Sequence, residues 1–404
     1  MSKRKLIEVL GGWEGYTLGT VGRKDGEAWI ELHPVAGVLR TCGGCGGATP
    51  AIHDTTQRWV RDLPILDAPT RLLVHRCRVL CERCGPKIEE LSWLDRYSRV
   101  TRRLAESVAR LCRAMPIKSV ADFFALNWHT VKAIDKAFLS RELGPVDLSD
   151  VELILLDEFA IQKGHRYATV VVEARRKQVL WVGRGRSRLE VRPFFELLGE
   201  EGCRRIRAAG IDMNGAYEEE IRLHCPQAAI VYDLFHVVAK YGREVVDRAR
   251  VDAANRLRHD KAARRVVKSA RWLLLRNREN LKGPQDHVRL QELLDANQDL
   301  LTVYLLKEDL KRLWQYRHRG YAARFWAGWL ERAQESGIPA LQRFARNLER
   351  YLEGILAHCR WRLHTSLLEG INNRIKVIKR TAYGYRDDEY FFLKIRAAFP
   401  GIPR

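Results

Sequence analysis

The stretch Ser366-Leu367-Leu368-Glu369-Gly370-Ile371-Asn372-Asn373-Arg374-Ile375-Lys376-Val377-Ile378-Lys379-Arg380 decides how the rest of the chain is read. Leu368, Ile371, Ile375 and Ile378 recur at helical spacing and form one apolar stripe, while Glu369, Asn373, Lys376 and Arg380 fall together on another. One helix therefore presents a carboxylate and, two turns later, cations. A carboxylate facing a site can hold a divalent metal, and the cations can bind the phosphates on which such a metal acts. A solvated amphipathic helix with scattered charges has the same pattern, so the remainder of the chain must decide between the two.

The chain is long enough, at 404 residues, for two to four domains, and its 46% hydrophobic share is that of a folded protein. Its charge is the unusual property: 71 Lys and Arg against 50 Asp and Glu give +21, with a pI near 9.8. The basic residues are spread along the whole length, a field that attracts a polyanion, and nucleic acid is the expected one. A basic protein of a membrane surface is the competing class. The sequence has neither an apolar run long enough to cross a bilayer nor a signal-peptide core. The expected place is the cytoplasm, on or near DNA, with no membrane partner.

Four of the nine cysteines occur as Cys42-Gly43-Gly44-Cys45 and Cys81-Glu82-Arg83-Cys84. This is the spacing of two zinc knuckles, and in a reducing compartment disulfides are not the expected pairing. The strand-like run Thr70-Arg71-Leu72-Leu73-Val74-His75-Arg76 lies between them, so a zinc ribbon of hairpins is the natural geometry. Cys77 is a candidate fifth ligand, but it lies outside the two pairs and reads rather as a packed thiol. Cys112, Cys203, Cys225 and Cys359 are isolated and read as core residues.

Ahead of the zinc module, Val21 to Leu32 looks like a short hairpin. After it, Asp95 to Leu139 turns helical, with Val100, Leu104, Val108 and Leu111 in phase, and Met115-Pro116 stops the first helix. The runs Ile117 to Phe124 and Asn127 to Lys136 then read as two short helices joined by a tight turn. The second opens with polar residues, Asn127, His129, Thr130 and Lys132, that can reach DNA. An ordinary helical hairpin has the same outline. A linker from Gly144 to Asp150 precedes three strands in a meander: Glu152 to Leu156 ending at Asp157, Tyr167 to Glu173, and Val179 to Gly183, with Lys163-Gly164 and Arg175-Arg176-Lys177 as turns. A helix from Val191 to Glu200 follows. Ile206 to Ile211 then leads to Asp212, a helix covers Ala216 to Leu223, and Ala228 to Tyr232 ends at Asp233. This order predicts a mixed sheet in which Asp157 and Asp212 both terminate buried strands, where open sheets place their sites. From about Leu234 to Leu363 the pattern is helical and basic.

The order of these features resembles the bacterial DDE transposases of the ISL3 insertion-sequence family. The resemblance is carried by the two CxxC pairs, the helix-turn-helix, Asp157 and Asp212 at strand ends, the long helical stretch, and Ser366 to Lys376 followed by Arg380-Thr381-Ala382-Tyr383-Gly384-Tyr385-Arg386. Leu155-Leu156-Asp157-Glu158, Gly210-Ile211-Asp212-Met213, Tyr232-Asp233-Leu234-Phe235-His236-Val237 and Leu274-Leu275-Arg276-Asn277-Arg278-Glu279-Asn280-Leu281 are also similar to blocks of that family. The similarity runs from about Cys42 to Ile395, with Cys77 as the one departure.

The resemblance implies an α/β multidomain chain. An N-terminal hairpin and zinc-binding module would span 1–92 and a helix-turn-helix DNA-binding domain 93–143. A ribonuclease H-like mixed-sheet catalytic domain would span 150–236, interrupted by an all-helical insertion over 237–360 and completed by 361–404 with the Glu369 helix. It implies an enzyme, a DNA transposase, that binds terminal inverted repeats and target DNA and cleaves and joins strands by two-metal-ion phosphoryl transfer. The triad would be Asp157, Asp212 and Glu369 holding two Mg²⁺, with Mn²⁺ as a substitute, because hard carboxylate oxygens suit such ions. Cys42, Cys45, Cys81 and Cys84 would hold one structural Zn²⁺, and Lys376 and Arg380 would contact phosphates of the cleaved strand. Asp233 reads as a supporting residue or a helix cap, and His236 as a core histidine. The implied assembly is a homodimer or larger in a synaptic complex, in the nucleoid of a bacterial cytoplasm. The alternative is a sequence-specific DNA-binding protein whose transposase-derived domain is idle.

Overall fold

The computed structural model describes residues 12–162, 164, 166–276, 280–281, 283–363 and 366–402. The expected turn residue Lys163, and Asn277, Arg278 and Glu279 of the Leu274 to Leu281 block, lie outside the described residues. The chain divides into two compact units, Met1–Gly144 with Ile378–Leu393, and Pro145–Val377 with Lys394–Arg404.

The first unit is built on strands β1 (Tyr16–Lys24), β2 (Glu27–Pro34), β3 (Arg40–Cys42), β4 (Ala48–Thr49), β5 (Ile52–Ile65), β6 (Ala68–Cys81) and β7 (Gly85–Glu90). Their order is β1-β2-β6-β7-β3-β4, with β5 on β6. The expected hairpin is present and longer than its apolar core, because Asp25 and Gly26 both take positive φ, 51° and 80°, and form the tight turn that matches strand twist. Alternating residues of these strands, among them Tyr16, Leu18, Ile30, Leu32, Val60, Leu72 and Val74, pack with Trp13, Trp93 and Leu94 as one core. A buried carboxylate ties the sheet to the helices: Asp62 accepts from Trp13 Nε1 at 2.9 Å, Thr101 Oγ1 at 2.6 Å and Arg103 Nε at 2.7 Å.

Three helices follow, Arg102–Leu111, Ile117–Phe123 and Trp128–Leu143. The first begins later than the periodicity predicts. Arg99 and Thr101 spend backbone groups on Arg61 of β5, at 2.8 and 2.9 Å, and Thr101 then caps the helix by accepting from Leu104 N–H. Val100, Leu104, Val108, Cys112, Val120, Phe124 and Val131 form the core of the trio. The C-terminal segment Ile378–Leu393 belongs to this unit, whereas the sequence groups 361–404 with the catalytic domain. The contacts responsible are a bond from the Tyr390 hydroxyl to buried Asp135 and ion pairs of Asp387 with Lys132 at 2.8 Å and of Glu389 with Lys136 at 2.6 Å.

The second unit has a five-stranded sheet of β8 (Leu153–Gln162), β9 (Arg166–Glu173), β10 (Gln178–Arg184), β11 (Ala208–Ile211) and β12 (Ala229–Tyr232). The order is β10-β9-β8-β11-β12; the first three form the expected antiparallel meander, and β11 is parallel to both β8 and β12. Helices Arg188–Arg205 and Gly215–His224 connect the strands, the first broken at Gly199 with φ 70°. Beyond β12 the described chain is helical through Cys359, with Gln298–Arg312, Arg319–Glu335 and Pro339–Glu349 as the longer pieces after Pro284–Asp295. Leu300, Leu306, Leu310, Trp326, Trp329, Leu341 and Phe344 of these helices share one continuous core with the sheet. The buried Lys307 ammonium donates to the carbonyls of Leu274 at 2.6 Å and Arg276 at 3.0 Å, satisfying helix-end acceptors.

Candidate active site and DNA-binding modules

Strand β8 does not end at Asp157. It runs on to Gln162, with Asp157 opposite Val170 and Gln162 opposite Arg166, because β9 folds back along its whole length. Asp157 is therefore a mid-strand residue, and only Asp212 follows the end of its strand. Register brings them to one level. Gly210 pairs with Leu155 and Ile211 with Tyr232, so one or two residues further on, Asp157, Asp212 and Asp233 stand side by side on β8 and at the ends of β11 and β12. Gly210 allows the close packing of β11, since a Cβ there would lie 2.4 Å from Leu155 Cδ2.

Asp157 Oδ1 accepts from the backbone N–H of Glu158 at 2.8 Å, and Asp212 Oδ1 from that of Asn214 at 3.0 Å. Burial pushes the Asp157 carboxyl up to about 6, with the neighbouring charge of Glu158 adding to it. Burial pushes Asp212 up to about 7, helped by Glu158 and Asp157. Both are relieved by His236, whose own pKa is raised first by its hydrogen bond to Asp233. Asp233 holds the N-cap position of the Leu234–Tyr241 helix without a side-chain cap bond. Its Oδ2 instead lies 3.0 Å from His236 Nδ1, so the capping reading and the core-histidine reading are both replaced by an Asp–His pair beside two crowded carboxylates.

The helix quoted at the outset spans Ser366–Thr381 and buries Leu368, Ile371 and Ile375, as its periodicity predicts. Asn372 on this helix donates from Nδ2 to Asp157 Oδ2 at 2.7 Å. Asn372 Oδ1 is buried with no hydrogen-bond partner among the described residues. Glu369 lies three residues before Asn372, hence on the adjoining face, and is exposed. The three expected carboxylates do not gather into a ligand group with all oxygens within 4.8 Å, as the cysteines do. Lys376 and Arg380 are exposed on the same helix. Asn372 is the site residue that sequence reasoning passes over, its i, i+3 spacing from Glu369 being the available signal, while Asp233 stands beside the carboxylates in keeping with its reading as a supporting residue.

In the first unit, Cys42, Cys45, Cys81 and Cys84 do converge, their Sγ atoms within 4.8 Å of one another and Cys45 and Cys81 at 3.6 Å. A tetrahedral zinc with Zn–S of about 2.3 Å sets sulfurs roughly 3.8 Å apart, so the donor set fits. Backbone N–H groups of Cys45 and Gly44 hold the Cys42 thiol down to about 7. Gly44 leaves room for this turn, since a Cβ there would stand 3.1 Å from Cys84 Sγ. Cys77 is buried outside the group, as expected of a packed thiol.

Of the residues expected to meet DNA, Asn127 caps the Trp128–Leu143 helix, its Oδ1 accepting from His129 N–H at 2.8 Å. His129 is exposed and Thr130 half-buried. Lys132 is paired with Asp387, which a segment distant in sequence brings to it.

The described chain thus carries a cysteine cluster of zinc-ligand geometry, a helix trio and a mixed sheet with clustered carboxylates. Residues 154–395 match the DDE transposase family of the ISL3 type. Residues 89–139 match the helix-turn-helix domain of transposase family ISL3, and 39–84 the zinc-finger of the IS204/IS1001/IS1096/IS1165 transposases. Over its whole length, and the whole length of the relative, the chain is 56% identical to the transposase for insertion sequence element IS1001 of Bordetella parapertussis. It is 26% identical to the transposase for IS1557 of Mycobacterium tuberculosis, over 89% of this chain and 85% of that one. The chain belongs to the ISL3 family of DDE transposases. It is an insertion-sequence transposase with a zinc-finger and a helix-turn-helix DNA-binding domain. No helix among the described residues is long and apolar enough to cross a membrane.

Proposed function

We propose that this transposase recognises the terminal inverted repeats of its element through residues 1–143 and cuts and joins DNA with Asp157, Asp212 and Glu369. The single observation that carries the reading is the Asn372–Asp157 hydrogen bond. It binds the Glu369 helix to the strand bearing the first Asp, on the sheet that aligns the second. The sheet order β10-β9-β8-β11-β12 supports a ribonuclease H-like domain over 150–236, interrupted by a helical insertion over 237–360 and resumed in the Glu369 helix.

Asp157, Asp212 and Glu369 would hold two Mg²⁺, or Mn²⁺, and the buried, mutually repelling Asp pair fits a site whose charge a divalent cation relieves. When bound, such ions activate a water or 3′-hydroxyl and stabilise the leaving oxygen of an in-line displacement at phosphorus. Asn372 holds Asp157 in orientation, and the Asp233–His236 pair lies beside the two carboxylates, the hydrogen bond to Asp233 raising the imidazole's pKa. Lys376 and Arg380 receive backbone phosphates, and His129 and Thr130 reach toward base edges from the start of their helix. Cys42, Cys45, Cys81 and Cys84 hold a structural Zn²⁺. The working assembly is a homodimer or larger on paired ends, in the bacterial cytoplasm at the nucleoid.

The test is a strand-cleavage assay on end-containing DNA with Asp157→Asn, Asp212→Asn and Glu369→Gln. Each should lose cleavage by orders of magnitude while still binding the ends. Near wild-type cleavage by Glu369→Gln with Mg²⁺ removes the triad.

A further inference from the structure

A second cluster of metal-binding side chains lies on the large sheet of the first unit, outside both sites above. Glu31 and His33 alternate on β2 and so share one face, and the parallel register that pairs Leu32 with Val74 sets His75 of β6 beside His33. The two imidazoles stack with centroids 4.2 Å apart. Both Nε2 atoms point at the same carboxylate oxygen: His75 Nε2 is 2.8 Å from Glu31 Oε1 and His33 Nε2 is 3.4 Å from it. The three donor atoms all lie within 4.8 Å of one another.

We propose that Glu31, His33 and His75 form a second zinc-class site, with two imidazole nitrogens and one carboxylate oxygen as ligands and water in the remaining position. Zinc takes histidine nitrogen and carboxylate oxygen at about 2.0–2.2 Å in a tetrahedron, which sets neighbouring donors roughly 3.3 Å apart. The two edges to Glu31 Oε1, 2.8 and 3.4 Å, bracket that value, and the edge between the two imidazole nitrogens lies within 4.8 Å. Two imidazoles and one carboxylate suit Zn²⁺ and disfavour Mg²⁺, which keeps an oxygen shell.

The surroundings are built for the cluster. Gly19 of β1 lies over it, where a Cβ would come within 2.6 Å of the His33 ring and 3.2 Å of Glu31 Oε2; any other residue there would displace the imidazole. The irregular register between Leu18 and Val21 turns the Thr20 N–H toward Glu31 Oε2 at 3.5 Å. That contact occupies one carboxylate oxygen and leaves Oε1 to face the rings, the way outer partners orient a ligand. An ion here would join β2 to β6 across the parallel pair of this sheet.

The test is zinc stoichiometry of the full-length protein, equilibrated with micromolar Zn²⁺ in millimolar Mg²⁺ and measured by elemental analysis. His33→Gln/His75→Gln should bind one equivalent fewer than wild type while keeping the cysteine-bound zinc, and Cys81→Ser should lose a different equivalent. Equal stoichiometry for wild type and the double histidine variant overturns the proposal. If that variant also loses the cysteine-bound zinc, Glu31→Gln decides, since it preserves side-chain size: loss of one equivalent supports the site and no loss overturns it.

Discussion

The cysteine cluster and the carboxylate site hold their ligands in opposite ways. Four Sγ atoms stand already gathered for one ion, positioned by tight knuckle turns and a strand hairpin. The carboxylates are ranked by strand register, two of them crowded and protonated more readily than usual, while Glu369 remains exposed on a helix anchored through its neighbour Asn372. A structural site gains folding free energy from being closed in advance. On the proposed reading the carboxylate site has to admit a phosphate between its ligands, which suits a site held by its frame and open at one side.

The largest expected effect sharpens the open half. Asp157→Asn, Asp212→Asn or Glu369→Gln should each abolish detectable cleavage and leave end binding near wild type, as gel-shift and cleavage assays on the same DNA would show. In the closed half, Cys81→Ser should release zinc and unfold the module, seen as lost sheet signal and lost end binding; a variant that stays folded without zinc breaks the contrast. Asn372→Ala should lower cleavage by roughly 10–100-fold, the usual cost of losing a partner that orients a metal ligand, with end binding unchanged. An unaltered rate would mean that Asn372 does not position Asp157.

A pH effect follows from the raised carboxyls. Their folded pKa values, about 6 and about 7, exceed the ordinary carboxylate value, so the folded state holds these protons more tightly than the unfolded state. The stability they contribute is complete below about pH 4 and is lost as pH rises through 6 to 7. Added Mg²⁺ should therefore raise Tm at pH 8 and have little effect at pH 5, and Asp157→Asn/Asp212→Asn should remove the difference. A Tm gain equal at both pH values would place the cation elsewhere. The smallest effect is at the helix cap: Asn127→Ala should cost about 1 kcal/mol of stability, whereas His129→Ala should leave stability intact and reduce discrimination between ends and random DNA.

Much of the frame was legible because its signals are local. The β-branched run over Tyr167 to Glu173, the knuckle spacing and the stripe of Leu368, Ile371 and Ile375 are each local patterns, which a sequence carries directly. The helix start at Arg102 was misplaced because β5 competes for the backbone of Arg99 and Thr101. Asp157 was placed at a strand end because the apolar run stops there, although pairing with β9 carries the strand on to Gln162.

By itself the sequence determined the main elements, their order, the two CxxC pairs and the family, since each rests on residue types at fixed short spacing. Only the tertiary structure decided which distant groups meet. Asn372 donates to Asp157, Asp387 occupies Lys132, and Glu31, His33 and His75 converge on one face of a sheet. These contacts arise from strand register and helix docking between segments far apart in the chain, and no local period encodes them.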